Sequence, residues 1–555
     1  MAQKSSRGAL GMRPLRFAGY VGAIGVLAAT AAFADTPVNP ATTAEQQALL
    51  RAQQLQAESA SRISGPVVIS PERARGDRVP PGGPTVLLKA VDITPPSAFI
   101  SQAELDAITA KYIGHNVDFS QIQQLVQDIN DLYEKKGVVT ASAVLPPQTL
   151  NAGVLKINLV EGRLGSVAVS GGDKVPDNFV LDRIHLTTAG NVVDVPTAAR
   201  DIARFNAVYD VQLRMSLQPG EQFGTTDIAF QLTEPRTNQL SFFFDNMGIP
   251  STGQGEGGVY YHRYGLWTTD DNLIAYATLA AGSAAGTLSY DTPITPVGTR
   301  LALSYSRSVV RTISGPTASL DIRGRSQSVS ATLSQPLYFD KGWTIIGSGA
   351  LSYGTSNSTS GATPLVDAET TRTSLGLSIS HTGAKFSFNV APQIVRAFTK
   401  DNLEPSSRNI TLFTGSFNGS YRLNDAITLT GAGAWQYTDA KLIPGDLLFQ
   451  VGGSGTVRGY PSGAQAGDSG FFGQFEAHKS LDNVRQGLDV FGFVDLGAVY
   501  STFPSKVFFV SAGAGISYQL PNNAKLELGI GVPLKQSVDN QKGAEIYARV
   551  TVNAF

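Results

Sequence analysis

The residues best placed for specific chemistry are an arginine and an aspartate. Arg458 sits in Val457-Arg458-Gly459-Tyr460, inside a Gly-rich run from Gly452 to Gly470. Glycine tolerates positive φ at an entropic cost, so such a run reads as a loop with unusual turns. An arginine in such a loop needs a carboxylate. The candidate is Asp495, in the strand-like segment Phe493-Val494-Asp495-Leu496-Gly497. A guanidinium fork grips a carboxylate through two parallel hydrogen bonds, which fixes orientation as well as proximity. The alternative is a solvated loop arginine and a strand-end aspartate that never meet. Other chemistry has little support. None of His115, His185, His262, His381 and His478 lies in a triad context, and no G-x-S-x-G elbow occurs. Gly253-Gln254-Gly255-Glu256-Gly257-Gly258 fits G-x-G-x-x-G, but no strand–helix unit surrounds it. The absence of cysteine excludes disulfides, thiolate nucleophiles and cysteine-ligated metals. No catalytic residue, metal or cofactor is expected.

The elements that must position this pair belong to a long chain. Its 555 residues allow several domains. Lys+Arg is 43 and Asp+Glu is 44, a net charge of −1, so nothing electrostatic points to nucleic acid. Lys4, Arg7, Arg13 and Arg16 precede an apolar stretch from Phe17 to about Thr30. Ala32-Phe33-Ala34 then offers a cleavage site before Asp35. Residues 1–34 therefore read as an export signal, with a membrane anchor as the alternative. No 18-residue apolar run follows. An exported chain of this kind is periplasmic, secreted or a membrane β-barrel.

Residues 35–63 hold a polar helix, over about 43–61, whose apolar stripe is too thin for a dry core. It suits water or a wet cavity; a frayed N-terminus is the alternative. Pro66, Pro71, Pro80, Pro81 and Pro84 with Gly82-Gly83 make 64–84 a linker. An α+β unit spans 85–163. Ser101 and Glu104 form a capping box, and Asp118 or Ser120 caps a second helix with apolar positions Ile122, Leu125, Val126, Ile129, Leu132 and Tyr133. The order is β-α-α-β-β. Residues 164–235 repeat it, giving an internal repeat of about 75 residues.

After Pro235 helical periodicity stops. Short alternating segments such as Leu301-Ala302-Leu303-Ser304-Tyr305-Ser306 run to the C-terminus. About 16 of them fall in the range of outer-membrane barrels. Connections 247–255, 310–320, 356–368, 398–408 and 438–469 read as long, alternating with short ones such as Thr382-Gly383-Ala384, Asn424-Asp425 and Pro521-Asn522-Asn523. One near 282–285 is short where the pattern asks for a long one. This alternation separates an outer rim from a periplasmic rim, and a soluble sandwich or propeller does not require it. Parity puts Phe493, Asp495 and Gly497 on one face and Val494 and Leu496 on the other, so Asp495 is expected to point into the lumen. A loop folding back into the lumen would deliver Arg458 there. Phe555 is out of phase with Ile546, Val550 and Val552, which a bulge near Asn553 would reconcile.

These motifs together resemble the two-partner secretion transporters of Gram-negative outer membranes, the haemolysin-activator and filamentous-haemagglutinin-transporter type within the Omp85 superfamily. The carriers are Leu145-Pro146-Pro147-Gln148, Gly153-Val154-Leu155, Val160-Glu161-Gly162, Leu217-Gln218-Pro219-Gly220, Gly224-Thr225-Thr226-Asp227, Asp245-Asn246-Met247-Gly248, Val457-Arg458-Gly459-Tyr460 and Phe493-Val494-Asp495-Leu496-Gly497. The resemblance implies an N-terminal plug helix (35–63), a linker (64–84), POTRA domains at 85–163 and 164–235, and a transmembrane β-barrel of about 16 strands over 236–555 with inner loop 438–469. It implies an outer-membrane transporter with its POTRA domains in the periplasm. They would bind a large unfolded exoprotein, a β-helical adhesin or haemolysin, for translocation through the barrel. Arg458 would hold the inner loop to Asp495, a pair worth about 1–3 kcal/mol in a wet lumen. Outer-membrane lipid and the barrel-assembly machinery are implied partners; ATP is not. The alternative within the superfamily is a membrane-protein insertase. A diffusion porin would need no POTRA units.

Overall fold

The computed structural model describes residues 39–59, 68–69, 80–186, 191–502, 505–521, 523–539 and 541–554. The export signal at 1–34 and most of the linker at 64–84 lie outside the described residues. Within the linker, however, Val68–Ile69 pairs in parallel with Met215–Ser216, so part of it is bound to the second α+β unit.

Each unit encloses an apolar core between helices and a small sheet. In the first, helices Gln102–Thr109 and Phe119–Lys135 cover a sheet ordered Ala90–Thr94, Val154–Glu161, Ala141–Val144. Leu105, Leu125, Ile129, Tyr133, Leu155 and Ile157 are buried between the layers. The Ser101/Glu104 capping box forms, and Asp118 caps the longer helix by accepting from Gln121 N at 2.9 Å. The second unit repeats the order with helices Asp177–Leu181 and Val195–Val208. Its sheet runs Val68–Ile69, Gln212–Pro219, Thr225–Thr233, Arg163–Ser170.

From Asn238 onward the strands close into an antiparallel barrel of 16, from Asn238–Asp245 to Glu545–Asn553. Burial alternates along each strand. Val329, Leu333, Leu375, Ile394 and Leu528 face outward, and Ser326, Thr370, Thr399 and Asp495 face inward. An apolar outer face and a polar lumen are what a membrane barrel requires. No described helix is long and apolar enough to cross a membrane.

Two connections expected to be long are strand instead. Trp343–Ser360 and Thr363–Thr382 meet at a turn of 361–362, and Phe386–Asp401 and Ser406–Arg422 are joined by 402–405. Segments such as Ser356-Asn357-Ser358-Thr359-Ser360 lack apolar alternation because these strands continue past the lipid. There both faces are wetted while the backbone ladder persists. The rim bearing 246–255, 312–321, 438–468 and 534–544 also carries the tight turn at 281–282. No bulge occurs at Asn553: the last strand pairs with the first in unbroken register from Asp245↔Arg549 to Ser241↔Asn553. Phe555 lies outside the described residues.

Candidate functional site

The segment 438–468 leaves the outer rim between strands Ile427–Tyr437 and Ser469–Ser480 and folds into the lumen. It is braced by its own structure. Phe449–Val451 pairs with Gln465–Gly467, and Asp468 accepts from Ile443 N at 3.0 Å. Arg372 on the wall holds Asp446 at 2.7 Å. Gly452, Gly453 and Gly459 have φ of 118°, 96° and 87°, so the glycines supply the turns that aim the tip.

At the tip, Arg458 Nε and Nη2 donate to Asp495 Oδ2 and Oδ1 at 2.8 and 2.7 Å. The Arg458 backbone N–H donates to Oδ2 as well, at 2.9 Å. Asp495 is fully buried. The guanidinium lies 3.6 Å above the Phe493 ring, a cation–π contact. Val457 packs with Val451, Tyr460, Val499 and Phe509. A Cβ on Gly497 would stand 3.0 Å from Val457 Cγ2 and 3.1 Å from Val451 Cγ1, so a side chain here would press on the seated loop. Tyr460 donates its hydroxyl to the carbonyls of Lys535 and Val510 at 2.8 and 3.0 Å. All seven residues singled out from the sequence, Val457, Arg458, Gly459, Tyr460, Phe493, Asp495 and Gly497, thus meet in one place.

Three participants escaped sequence reasoning. Glu476 accepts a hydrogen bond from Arg458 Nη1, so the guanidinium bridges two carboxylates. Tyr547 on the last strand accepts from Gly459 N at 2.6 Å. Gly531 lies so near the loop that a Cβ there would stand 2.7 Å from Gly459 N. Glu476 carried a usable signal, being the lone carboxylate of an aromatic and glycine-rich strand. Tyr547 and Gly531 carried none, because their roles depend on strands distant in sequence. The burial of Asp495 sets the cost of removing one partner above the net worth expected of the pair. Removing one partner of a buried ion pair leaves an uncompensated charge, at about 3–5 kcal/mol.

The helix Pro40–Ser59 lies in the same lumen. Asn39 Nδ2 donates to Ser356 Oγ and to the carbonyls of Arg325 and Asn357, each at 3.0 Å. Glu45 accepts from Ser326 and Ser328. Arg51 pairs with Asp245 and Glu256, and Asp245 also receives Arg549 at 3.0 Å. Ala41, Ala44 and Ala48 pack on Phe243, Tyr260, Ile274 and Tyr276. The helix touches the inner loop through Gln450 Nε2, which donates to Thr43 Oγ1 at 3.0 Å.

At the opposite rim the second α+β unit docks on the turns 265–271 and 294–299. Buried Asp270 accepts from Val211 N at 2.9 Å and from Arg300 at 2.7 Å, and Arg300 also pairs with Asp291. Arg204 donates to the Val297 carbonyl at 2.8 Å. This rim is therefore the one that faces the α+β units.

A closed 16-stranded barrel fed by such units, with an arginine loop seated on its wall, defines an outer-membrane transporter of the Omp85 type. Residues 224–519 match the family model described as haemolysin secretion/activation protein ShlB/FhaC/HecB, and residues 88–162 match the POTRA domain, ShlB-type. The chain belongs to this family of two-partner secretion transporters. It is 24% identical over 493 residues to the outer membrane transporter CdiB of Dickeya dadantii, covering 82% of this chain and 84% of the relative. It is 23% identical over 473 residues to the heme/hemopexin transporter protein HuxB of Haemophilus influenzae, covering 79% and 81%. The solved structure of CdiB from Escherichia coli superposes with a TM-score of 0.66 at 19% identity, covering 92% of this chain and 98% of that one. BamA from Haemophilus ducreyi lacking POTRA domains 1–3 shares the fold at a TM-score of 0.50 and 15% identity, covering 84% and 100%. The barrel lies in the outer membrane and the POTRA units in the periplasm. The protein transports a large secreted exoprotein.

Proposed function

We propose that the first POTRA unit receives an extended segment of the unfolded exoprotein along the edge strand Ala141–Val144. The observation that carries this is local. The edge residue Ala143 is bonded through both its main-chain groups to one side chain: its N–H donates to Asn130 Oδ1 at 2.7 Å, and its carbonyl accepts from Asn130 Nδ2 at 3.3 Å. That amide marks outward main-chain groups that no strand pairs, and an added strand would displace this one side chain to take its positions. In the second unit the Gln212–Pro219 edge already carries Val68–Ile69. The exoprotein is of the β-helical adhesin or haemolysin kind, whose extended coils suit strand addition.

In the same reading, Pro40–Ser59 plugs the barrel at rest, and Arg458 with Asp495 holds the inner loop against the wall. Phe493 and Gly497 supply its seat. Lipid surrounds the apolar outer face, and the barrel-assembly machinery inserts it. Comparing culture-medium and outer-membrane proteins with and without the gene tests the transport reading. Loss of one large secreted protein with an unchanged outer membrane supports it. A broad fall in outer-membrane proteins would point to an insertase, and altered solute permeability alone to a porin.

A further inference from the structure

Phe508 and Phe509 are neighbours on the strand Val507–Gln519 and face opposite ways. Phe509 is fully buried in the lumen, in edge contact with Tyr460 at 5.0 Å between centroids. Phe508 is on the outer face, where it meets Phe471 edge-on at 6.3 Å. Tyr500, at the end of the adjacent strand, is on the same face. Two lysines from different loops close over these rings. Lys506 Nζ stands 5.3 Å from the Tyr500 ring and 5.2 Å from the Phe508 ring, and Lys535 Nζ stands 5.7 Å from the Phe508 ring. Both side chains are exposed. Among the described residues, neither ammonium has a carboxylate within ion-pair distance. Two like charges set over one ring repel, and an anion between them would relieve that repulsion.

The location says what that anion is attached to. The loops 501–506 and 534–544 belong to the rim opposite the turns that dock the second POTRA unit. The cluster is therefore on the lipid-facing wall at the level of the outer leaflet. Aromatic rings at such a level sit among headgroups, with an apolar body below and a polar layer above. We propose that Lys506 and Lys535 bind a phosphate of a phosphorylated glycolipid of the outer leaflet, a lipid A, whose sugar rests on Phe508 and Tyr500. The Lys535 carbonyl is held from inside by Tyr460, so the lipid and the inner-loop motif act on one residue from two sides of the wall. This rests on the outer-membrane placement of the barrel and is independent of the exoprotein edge.

The test uses the full-length protein in detergent. Native mass spectrometry counts lipid A retained by the wild type and by the double variant Lys506→Gln/Lys535→Gln, with heat-modifiable gel migration showing that each barrel is folded. Two charge-assisted contacts predict at least an about tenfold loss of retention in the variant. Wild-type protein offered lipid A stripped of its phosphates should lose retention similarly, and this arm needs no variant. Equal retention by the variant, or of dephosphorylated lipid A, would overturn the proposal. Competition by inorganic phosphate at the same concentration would reduce the site to an ion site. Equal binding of phosphatidylglycerol vesicles would make it a general anionic-lipid surface. Either result overturns the assignment to lipid A.

Discussion

The helix Pro40–Ser59 and the loop 438–468 share one lumen and are held there by different forces. The helix meets the wall through Asn39, Glu45 and Arg51, whose partners are serines, carbonyls and carboxylates, and its apolar contact is a row of alanines. Asn39 and Glu45 meet neutral groups whose bonds are worth about 0.5–1.5 kcal/mol each, whereas Arg51 reaches an Asp245 side chain with no exposed surface. The loop tip has contacts that water cannot replace. Gly459 rests on the backbone of Gly531, Val457 and Tyr460 enter a dry cluster with Phe509, and Asp495 is fully buried beneath Arg458. Both occupants cover a buried carboxylate, Asp245 beneath Arg51 and Asp495 beneath Arg458, and what sets the loop apart is the dry cluster and the close glycine–backbone contact at its tip.

Arg458→Ala is the sharpest way to break this contrast. It should cost the loop about 3–5 kcal/mol and sharply reduce or abolish secretion, leaving assembled barrel in the membrane. Arg458→Lys should be impaired as well, for lack of the planar fork. The measurement is exoprotein in the medium per folded barrel, and normal secretion by Arg458→Ala would remove the distinction. Gly497→Ala comes next. Its Cβ would press on Val457 and Val451, so a loss of about 1–3 kcal/mol and a partial fall in secretion are expected in the same assay.

Glu45→Ala with Arg51→Ala acts on the other occupant. Open-channel conductance in planar bilayers should rise while secretion is largely retained, since about 1–3 kcal/mol of exchangeable contact is lost. Unchanged conductance would show the helix to be fixed by its alanine face. The smallest effect is outside the barrel. Lys136 and the Ser101 cap hold the Glu104 carboxyl down to about 2, and the backbone N–H groups of Gln121 and Gly82 lower Asp118. Carboxylates depressed in the folded state stabilise above their ordinary range and lose that contribution as the pH falls through it toward 2. Hydrogen exchange in 102–135, corrected for its intrinsic pH dependence, should speed up over that window while the loop tip stays protected.

Much of this was legible because it is local. Alternation along a strand depends only on neighbouring residues, so Asp495 could be assigned to the lumen from Val494 and Leu496 alone. The same period marked the barrel, and capping residues marked the POTRA helices. Strand extent was misread at 356–368 and 398–408, since polar residues on both faces hide a ladder made by the backbone.

The sequence alone thus determined the order of units, the lumenal face of the strand that carries Asp495, and one arginine in need of a carboxylate. Which carboxylates answer it was decided by register. Gln474 pairs with Asp495 and Glu476 with Phe493, so the two acids lie diagonally across adjacent strands within reach of one guanidinium. Closure then brought Gly531 and Tyr547, from the last two strands, against Gly459. Those contacts join residues far apart in the chain, and only closing the sheet on itself sets their distance. The loop seated in that closed lumen covers Asp495, which makes removal of Arg458 costly.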